Sequence, residues 1–98
     1  MSSTRMIFEW DAAKSEHNAK RRNLPFDLAV VLFDEPTLEE PDERRDYGEP
    51  RIKATGEVSG RVLVCIYTDR AESRRIISLR PAKRRERDAY REAYPRRD

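Results

Sequence analysis

The sequence predicts an α+β fold in which N-terminal helices and a C-terminal helix pack on a small antiparallel β-sheet. Three observations indicate this fold. The apolar run at residues 62–67 has the length and the β-branched content of a central strand, and weaker strand patterns lie on both sides of it. Helical patterns occupy residues 12–22 and 26–33, before these strands. Pro81 precedes a last helical pattern that runs to about Ala93.

The N-terminal segment predicts one short strand followed by two helices. Residues 6–10 favour a strand. Asp11 is a suitable N-cap for a helix over residues 12–22, because its carboxylate can accept hydrogen bonds from the first-turn amides. Asn23 tolerates the left-handed conformation that commonly ends a helix. The second helix, from residue 26 to about 33, is apolar on most of its surface and should be well buried.

The rest of the chain predicts an acidic segment, a sheet and a helix. Pro41 suits an edge strand that begins near Thr37, and the remainder of residues 34–49 is predicted to be a solvated loop. Pro81 is predicted as the first residue of the last helix, where its missing amide costs nothing. The other predicted strands cover residues 51–56, 62–68 and 75–80, and the predicted hairpin connections are residues 57–60 and 69–73.

Composition limits the possible functions. The length of 98 residues fits one domain over residues 1–98, with a core at about 6–94, and a charged fraction of 41% makes that core thin. Cys65 is the only cysteine, so no internal disulfide can form, and its apolar surroundings predict a buried, inert thiol. No stretch is long enough to span a membrane, and residues 1–5 lack the apolar core of a signal peptide, so we expect a cytoplasmic protein without membrane contact.

Charge is divided unevenly along the chain. Residues 34–49 hold eight acidic residues against two arginines, a net charge of −6, whereas residues 70–98 hold eleven basic against five acidic residues, a net +6. Such a division favours an anionic partner at the basic end. Most of these cations are arginines, which bind phosphate with two hydrogen bonds, and Tyr67, Tyr90 and Tyr94 could stack on unpaired bases. The charge pattern alone fits a solvated, ion-paired helix face equally well.

Glu86 is the most informative acidic residue. Helical spacing places it on the face that also carries Ala82, Ala89, Tyr90 and Ala93, which is the face most able to pack on the sheet. A carboxylate there is partly buried and needs a partner, most simply an arginine. Two interpretations stay open. Glu86 either forms a salt bridge that joins the helix to the sheet, or it transfers a proton beside phosphate-binding arginines.

Strand alternation assigns the residues before Pro81 to two faces. One face carries Arg74, Ile76, Ser78 and Arg80, and the other carries Arg75, Ile77 and Leu79. Arg80 ends the predicted strand, so its side chain can swing into a groove.

Several short motifs follow one another in order. They are Phe8-Glu9-Trp10-Asp11-Ala12-Ala13-Lys14 with Asn18, Phe26-x-x-Ala29-x-x-x-Phe33-Asp34-x-Pro36, Gly48-Glu49-x-Arg51 with Gly56, Arg61-Val62-Leu63-Val64 through Tyr67-Thr68-x-Arg70, and Arg75-Ile76-Ile77-Ser78-x-Arg80-x-Ala82 followed by Arg85-Glu86 and Tyr90. No single motif is specific, but the ordered set over residues 6–94 resembles the BrnT family of type II toxin–antitoxin toxins. The chain departs from many relatives in two places: Arg21-Arg22-Asn23 stands where they have Lys-His-Gly, and Leu79 stands where they often have alanine.

The resemblance implies a RelE-like fold in which helices cover one face of the sheet. It also implies a ribonuclease that blocks translation and is neutralised by a BrnA-like antitoxin. Such an antitoxin binds operator DNA, so any contact of this chain with DNA would be indirect. A dimer of toxin–antitoxin heterodimers is implied as well.

A mechanism without metal or cofactor follows from RNA chemistry. The 2′-hydroxyl can attack the adjacent phosphorus if a base accepts its proton and positive charge stabilises the phosphate. We hypothesise that Arg51, Arg70 and Arg80 hold the scissile phosphate, and that Glu86 is the base or orients one of those arginines. The leaving-group acid is unassigned, with Tyr67 a weak candidate. The residues expected to bind the flanking RNA backbone are Lys53, Arg75, Lys83 and Arg84.

Two other classes of function stay open. The chain could be a non-catalytic module whose basic residues bind RNA or a partner without cutting, because phosphate contacts alone give salt-dependent affinity. It could instead be a complex-forming protein whose basic groove receives an acidic or helical segment of its neighbour. RNA cleavage separates the enzyme from both alternatives, and steep salt dependence of RNA binding separates the two alternatives from each other.

Overall fold

The protein is built on a five-stranded mixed β-sheet. The structure is a computed structural model that describes residues 6–96. The elements in chain order are β1 (Phe8–Trp10), α1 (Ala12–Arg22), α2 (Asp27–Leu32), β2 (Leu38–Pro41), β3 (Ile52–Val58), β4 (Arg61–Asp69), β5 (Arg74–Pro81) and α3 (Arg84–Ala93). The strand order is β1-β5-β4-β3-β2, with β4 in the centre. None of the helices in the described range is long and apolar enough to cross a membrane.

Most predicted elements are confirmed. In the cap of α1, Ala13 N and Lys14 N donate to Asp11 Oδ1 at 2.9 and 3.1 Å, and Asn23 ends the helix with φ at 58°. The predicted strands at residues 51–56, 62–68 and 75–80 correspond to β3, β4 and β5. Pro41 lies at the end of β2, an edge strand as predicted.

The sheet is mixed, so the prediction of an antiparallel sheet is wrong at one edge. β1 pairs parallel with β5, with Phe8 opposite Arg74 and Trp10 opposite Ile76. The other three strand pairs are antiparallel. Both helices of the N-terminal half and three strands separate β1 from β5 along the chain, so no tight turn fixes the direction of this pairing.

Two predicted boundaries shift because β-pairing extends further than the sequence indicates. Pro81 is the last residue of β5, opposite Leu63, and does not open α3, which begins at Arg84. Ala82 N donates to Val62 O at 3.0 Å, which continues this pairing one residue beyond the proline. The β3–β4 connection is a two-residue turn at Ser59 and Gly60, both with positive φ, as a tight hairpin requires.

The two faces of the sheet carry separate hydrophobic clusters. On the back face, Leu63, Cys65 and Tyr67 of β4 pack with α2 and the segment that joins it to α1. On the front face, a smaller cluster, formed by Val62, Val64, Ile66, Ala82 and Tyr90, packs under α3. Helices therefore cover both faces, which corrects the implied arrangement on one face.

A bulge in β5 changes which side chains share a face. Tyr67 pairs with Ile76 and Ile66 pairs with Ser78, so Ile77 is an extra residue in β5. The simple alternation predicted for this strand is therefore wrong. Ile76 and Leu79 lie in the same back-face cluster. Pairing with Thr68, Ile66 and Val64 places Arg75, Ser78 and Arg80, respectively, on the front face.

α3 contacts the sheet through a narrower stripe than predicted. Tyr90 is buried and donates from its hydroxyl to Pro36 O at 2.8 Å, and Glu86 is partly buried. Ala89 and Ala93 are exposed, so their predicted packing on the sheet is wrong. The i, i+4 pair of Glu86 and Tyr90 holds the helix, and the alanines lie beside it, facing solvent. Arg97 and Asp98 of the basic segment lie outside the described residues.

We predict that Gly56→Ala destabilises the fold because its new methyl group meets Leu32. An ideal Cβ on Gly56 would lie 2.9 Å from Leu32 Cγ and 3.2 Å from Thr37 Cγ2. Overpacking of this kind costs about 1–3 kcal/mol, measurable by chemical denaturation. In a Leu32→Ala background, which itself costs about 2–5 kcal/mol, the alanine at 56 should cost much less. If the destabilisations by Gly56→Ala and Leu32→Ala simply added, the contact with Leu32 would not be the reason that residue 56 must be glycine.

Candidate functional site

The carboxylate of Glu86 joins α3 to two strands of the sheet. It accepts two hydrogen bonds from Arg80 of β5, at 2.8 and 2.9 Å, and lies 2.7 Å from Lys53 Nζ of β3. It also accepts a hydrogen bond from Lys83 N at 2.8 Å, which caps the start of α3. Four donors therefore surround one carboxylate on the front face, and we call Glu86, Arg80 and Lys53 the Glu86 cluster.

The surroundings of Glu86 stabilise its ionised form. Hydrogen bonds from Arg80 lower its pKa most, burial opposes them, and the donors from Lys53 and from the Lys83 amide lower the pKa further, so that it lies well below its usual range. A carboxylate with such a low pKa is a weak base at neutral pH. Within the cluster it holds two cations in place, and these cations are each about a quarter exposed.

A second group of charges lies at the start of β3. Arg51 and Arg70 approach the two carboxylate oxygens of Glu49, at 3.6 and 3.7 Å. The Arg51 guanidinium lies 3.9 Å from the ring centre of Tyr47, and among the described residues its buried Nε has no hydrogen-bond partner. At these distances both arginines form ion pairs with Glu49 but donate no hydrogen bond to it.

Arg75 has a separate partner on β1. Its NH1 donates to Glu9 Oε1 at 2.9 Å, and Ser73 Oγ donates to the other oxygen of the same carboxylate. Hydrogen bonds from Ser73 and then from Arg75 lower the pKa of Glu9. Lys83 and Arg84 are exposed at the start of α3, and within residues 6–96 neither makes an ion pair.

The structure thus brings the residues predicted for the site into three groups. Arg80, Lys53 and Glu86 touch one another, Arg51 and Arg70 meet through Glu49, and Arg75 lies apart with Glu9. Glu49 was not predicted to take part, although its position two residues before a candidate arginine is a signal for pairing along an extended chain. The predicted solvated loop is therefore partly buried at this residue.

Tyr67 lies on the back face and not beside the Glu86 cluster. Its hydroxyl donates to Glu39 Oε1 at 2.7 Å, and the Arg74 guanidinium lies 4.0 Å from its ring centre. Burial, then the hydrogen bond to Glu39, raises its pKa. The sheet separates Tyr67 from Glu86, so the structure provides no route by which it would protonate a leaving group there.

Other candidate chemistry is limited. Cys65 is buried, as predicted, and burial raises the pKa of its thiol to about 12, so the reactive thiolate is disfavoured. Across the described part of the chain, no group of three or more His, Cys, Asp and Glu side chains is arranged to hold a metal ion. The chemistry that the front face offers is the binding of an anion by partly exposed arginine and lysine side chains.

Residues 10–86 match a family model described as "Ribonuclease toxin, BrnT, of type II toxin-antitoxin system". The matched range covers well over half of the chain and includes both strands and the helix turn that form the Glu86 cluster. No individual curated protein matches the sequence.

We predict that Glu86→Gln lowers the free energy of unfolding at pH 7 by about 1–3 kcal/mol, because charge-assisted hydrogen bonds are lost. Folding depresses the pKa of Glu86. Its contribution to the free energy of unfolding is therefore complete above its unfolded-state pKa of about 4.3 and is lost as the pH falls towards its pKa in the folded protein. The difference between parent and variant should therefore shrink below about pH 4 in denaturant titrations. Glu92→Gln, at an exposed position of α3, is the control. If parent and Glu86→Gln differed in the free energy of unfolding by the same amount at pH 7 and below about pH 4, the depressed pKa would be contradicted.

Proposed function

The chain belongs to the BrnT family of ribonuclease toxins of type II toxin–antitoxin systems, and from this premise we propose that it is a metal-independent endoribonuclease that inhibits translation by cutting RNA. The observation that carries the proposal is the Glu86 cluster. It holds Arg80 and Lys53 together on the front face, each with about a quarter of its side chain exposed to solvent. Such a pair of cations suits the phosphate of an RNA chain.

The reaction that fits this cluster is internal transfer at phosphorus. The RNA 2′-hydroxyl loses its proton to solvent water as its oxygen bonds to the phosphorus. The bond to the 5′-oxygen of the next nucleotide breaks, that oxygen takes up a proton, and a cyclic phosphate and a 5′-hydroxyl result. Charge on the phosphate oxygens grows in the transition state, so fixed guanidinium groups stabilise it more than the ground state. Arg80 supplies this charge, with Arg51 and Arg70 as the further phosphate ligands.

Glu86 acts in this scheme by positioning. Its low pKa makes it a poor acceptor for the 2′-hydroxyl proton, whereas its bidentate pairing fixes the plane of the Arg80 guanidinium. Lys53 lies in the same cluster and is a proton donor suited to the leaving oxygen. The cations assigned to the flanking backbone are Arg75, Lys83 and Arg84.

A type II system pairs each toxin with an antitoxin protein, so this chain has such a partner by family. The proposed partner is a BrnA-like antitoxin that also binds operator DNA, in a dimer of toxin–antitoxin heterodimers. The resemblance over residues 6–94 supports this assignment. The proposed place of action is the cytoplasm, where RNA and antitoxin meet, and the proposed functional unit is a single domain built on the one sheet.

One observation favours a second candidate, a module that binds RNA without cutting it. The four donors around Glu86 leave that carboxylate a weak base, and no other base is assigned on the front face. Basic residues arranged on a sheet would then give affinity without turnover.

We predict that Arg80→Ala lowers the rate of RNA cleavage about 10²–10³-fold, the effect typical of removing one group that stabilises transition-state charge. The assay uses purified chain, mixed single-stranded RNA and EDTA, and it is repeated with translating ribosomes. Arg22→Ala, at an exposed position of α1, is the control and should cut like the parent. Parent-like cleavage by Arg80→Ala would refute the site, and loss of parent cleavage in EDTA would refute metal independence. Absence of cleavage in both assays, with RNA binding retained, would favour the binding module.

We predict that Glu49→Gln strengthens RNA binding, because Glu49 occupies the two arginines that a phosphate would contact. Release of a partly exposed ion pair corresponds to about 0.2–1 kcal/mol, which is roughly a 1.5- to 5-fold rise in affinity. Glu43→Gln removes the same charge from an exposed position of the same segment and should have a smaller effect. Equal effects of the two variants would show that Glu49 acts only through the overall charge.

A further inference from the structure

A basic groove lies where the β3–β4 turn approaches α3, outside the Glu86 cluster. Its volume is about 470 Å³, and four of its lining residues are arginines, with Asp88 the one acidic residue among them. The arginines are Arg61, Arg87, Arg91 and Arg96. The groove therefore has a strong excess of positive charge at the opposite end of β3 from Arg51.

The charges of this groove are mostly not neutralised. Arg87 NH1 donates to Ala82 O at 3.0 Å and Arg96 NH2 donates to Gly60 O at 2.9 Å. A carbonyl oxygen orients a guanidinium without cancelling its charge. Arg91 pairs with Glu57, whereas Arg61 is exposed and makes no ion pair within the described residues. Among residues 6–96, therefore, three of the four arginines make no ion pair and keep their charge available for an anion.

Backbone geometry connects this groove with the Glu86 cluster. Arg80 NH1 donates to Pro81 O at 3.2 Å, and Arg87 NH1 donates to the carbonyl of the next residue, Ala82. Pro81 and Ala82 both line the groove, so the guanidinium of Arg80, which belongs to the Glu86 cluster, contacts a residue at the edge of the groove. Arg84 precedes Arg87 by three residues on α3, which places both on one side of the helix. The cations therefore continue from the Glu86 cluster into the groove.

A partly exposed aromatic residue next to the groove indicates which kind of anion this surface binds. Tyr94 is 37% exposed and lines a second hollow, which shares Gly60, Arg91 and Arg96 with the groove. Its hydroxyl donates to Thr37 O at 3.2 Å, and one side of its ring packs against Tyr90, with the ring centroids 5.3 Å apart. An aromatic face next to phosphate-binding cations is the combination that binds single-stranded nucleic acid, because each nucleotide offers both a phosphate and a base to stack.

We propose that Arg61, Arg87 and Arg96 bind the RNA backbone beyond the scissile phosphate, and that Tyr94 stacks on an unpaired base of the same strand. This inference rests on the proposed function, because it extends the RNA path from the Glu86 cluster around the start of α3. It assigns the single strand, rather than a duplex, as the substrate form, since a base must be unpaired to stack.

The test measures binding of a 2′-O-methyl RNA of about 12 nucleotides, which lacks the attacking hydroxyl and is not cut, over a range of salt concentrations. Arg61→Gln/Arg87→Gln should reduce the slope of log affinity against log salt by about 1.4, because each lost phosphate contact accounts for about 0.7 in single strands. At about 0.1 M salt the affinity should fall roughly tenfold or more. The control, Arg21→Gln/Arg22→Gln, removes the same charge from exposed positions at the end of α1 and should leave the slope unchanged.

Further variants keep the test decisive. Arg61→Gln alone disturbs no hydrogen bond among the described residues and should lower the slope by about 0.7 even if the double variant folds poorly. Tyr94→Leu should weaken binding without changing the slope, since stacking carries no charge. A parent-like slope in the double variant would overturn the groove while leaving cleavage at Arg80 intact. An equal loss of slope in the control pair would overturn the groove, because overall charge alone would then explain the effect. Failure of the parent to bind RNA would overturn both the groove and the proposed function.

Discussion

The front face depends on one carboxylate among cations. Arg80 and Lys53 come from different strands and would repel each other if they stood alone, but Glu86 accepts hydrogen bonds from both. The same side chain accepts from the Lys83 amide and so helps to fix where α3 begins. Helix position and the geometry of the cationic pair are therefore linked through a single group, whose low pKa keeps it charged at all but strongly acidic pH.

The bulge at Ile77 decides which charges reach that face. With strict alternation along β5, Ile76 and Leu79 would lie on opposite faces, and one of the two would leave the back-face core. The extra residue lets both stay buried and places Arg80 on the front face, opposite Val64. The bulge disrupts one residue pair between β4 and β5. In return, the back-face core stays continuous, and the cation of Arg80 lies on the front face.

Carboxylates pair with several of the cations that we propose to bind RNA. Glu49 and Glu9 each hold one or more of the basic residues that we propose to bind RNA, whereas the more buried Glu86 keeps Arg80 in place while the phosphate binds. A partly exposed ion pair contributes little net free energy, so a phosphate can replace such a carboxylate without a large penalty. For a toxin of a type II system this arrangement keeps a highly charged surface ordered while it remains able to bind.

The sequence by itself determined the local structure and the family. The Asp11 cap and the left-handed Asn23 were predictable because the hydrogen bonds that favour them span only a few residues, and the ordered motifs by themselves indicated the BrnT relationship. Tertiary structure decided the parallel β1, the bulge at Ile77, the strand position of Pro81 and the pairing of Glu49 with two arginines. Each of these depends on which distant segments pair across the sheet, and local propensity carries no information about those partners.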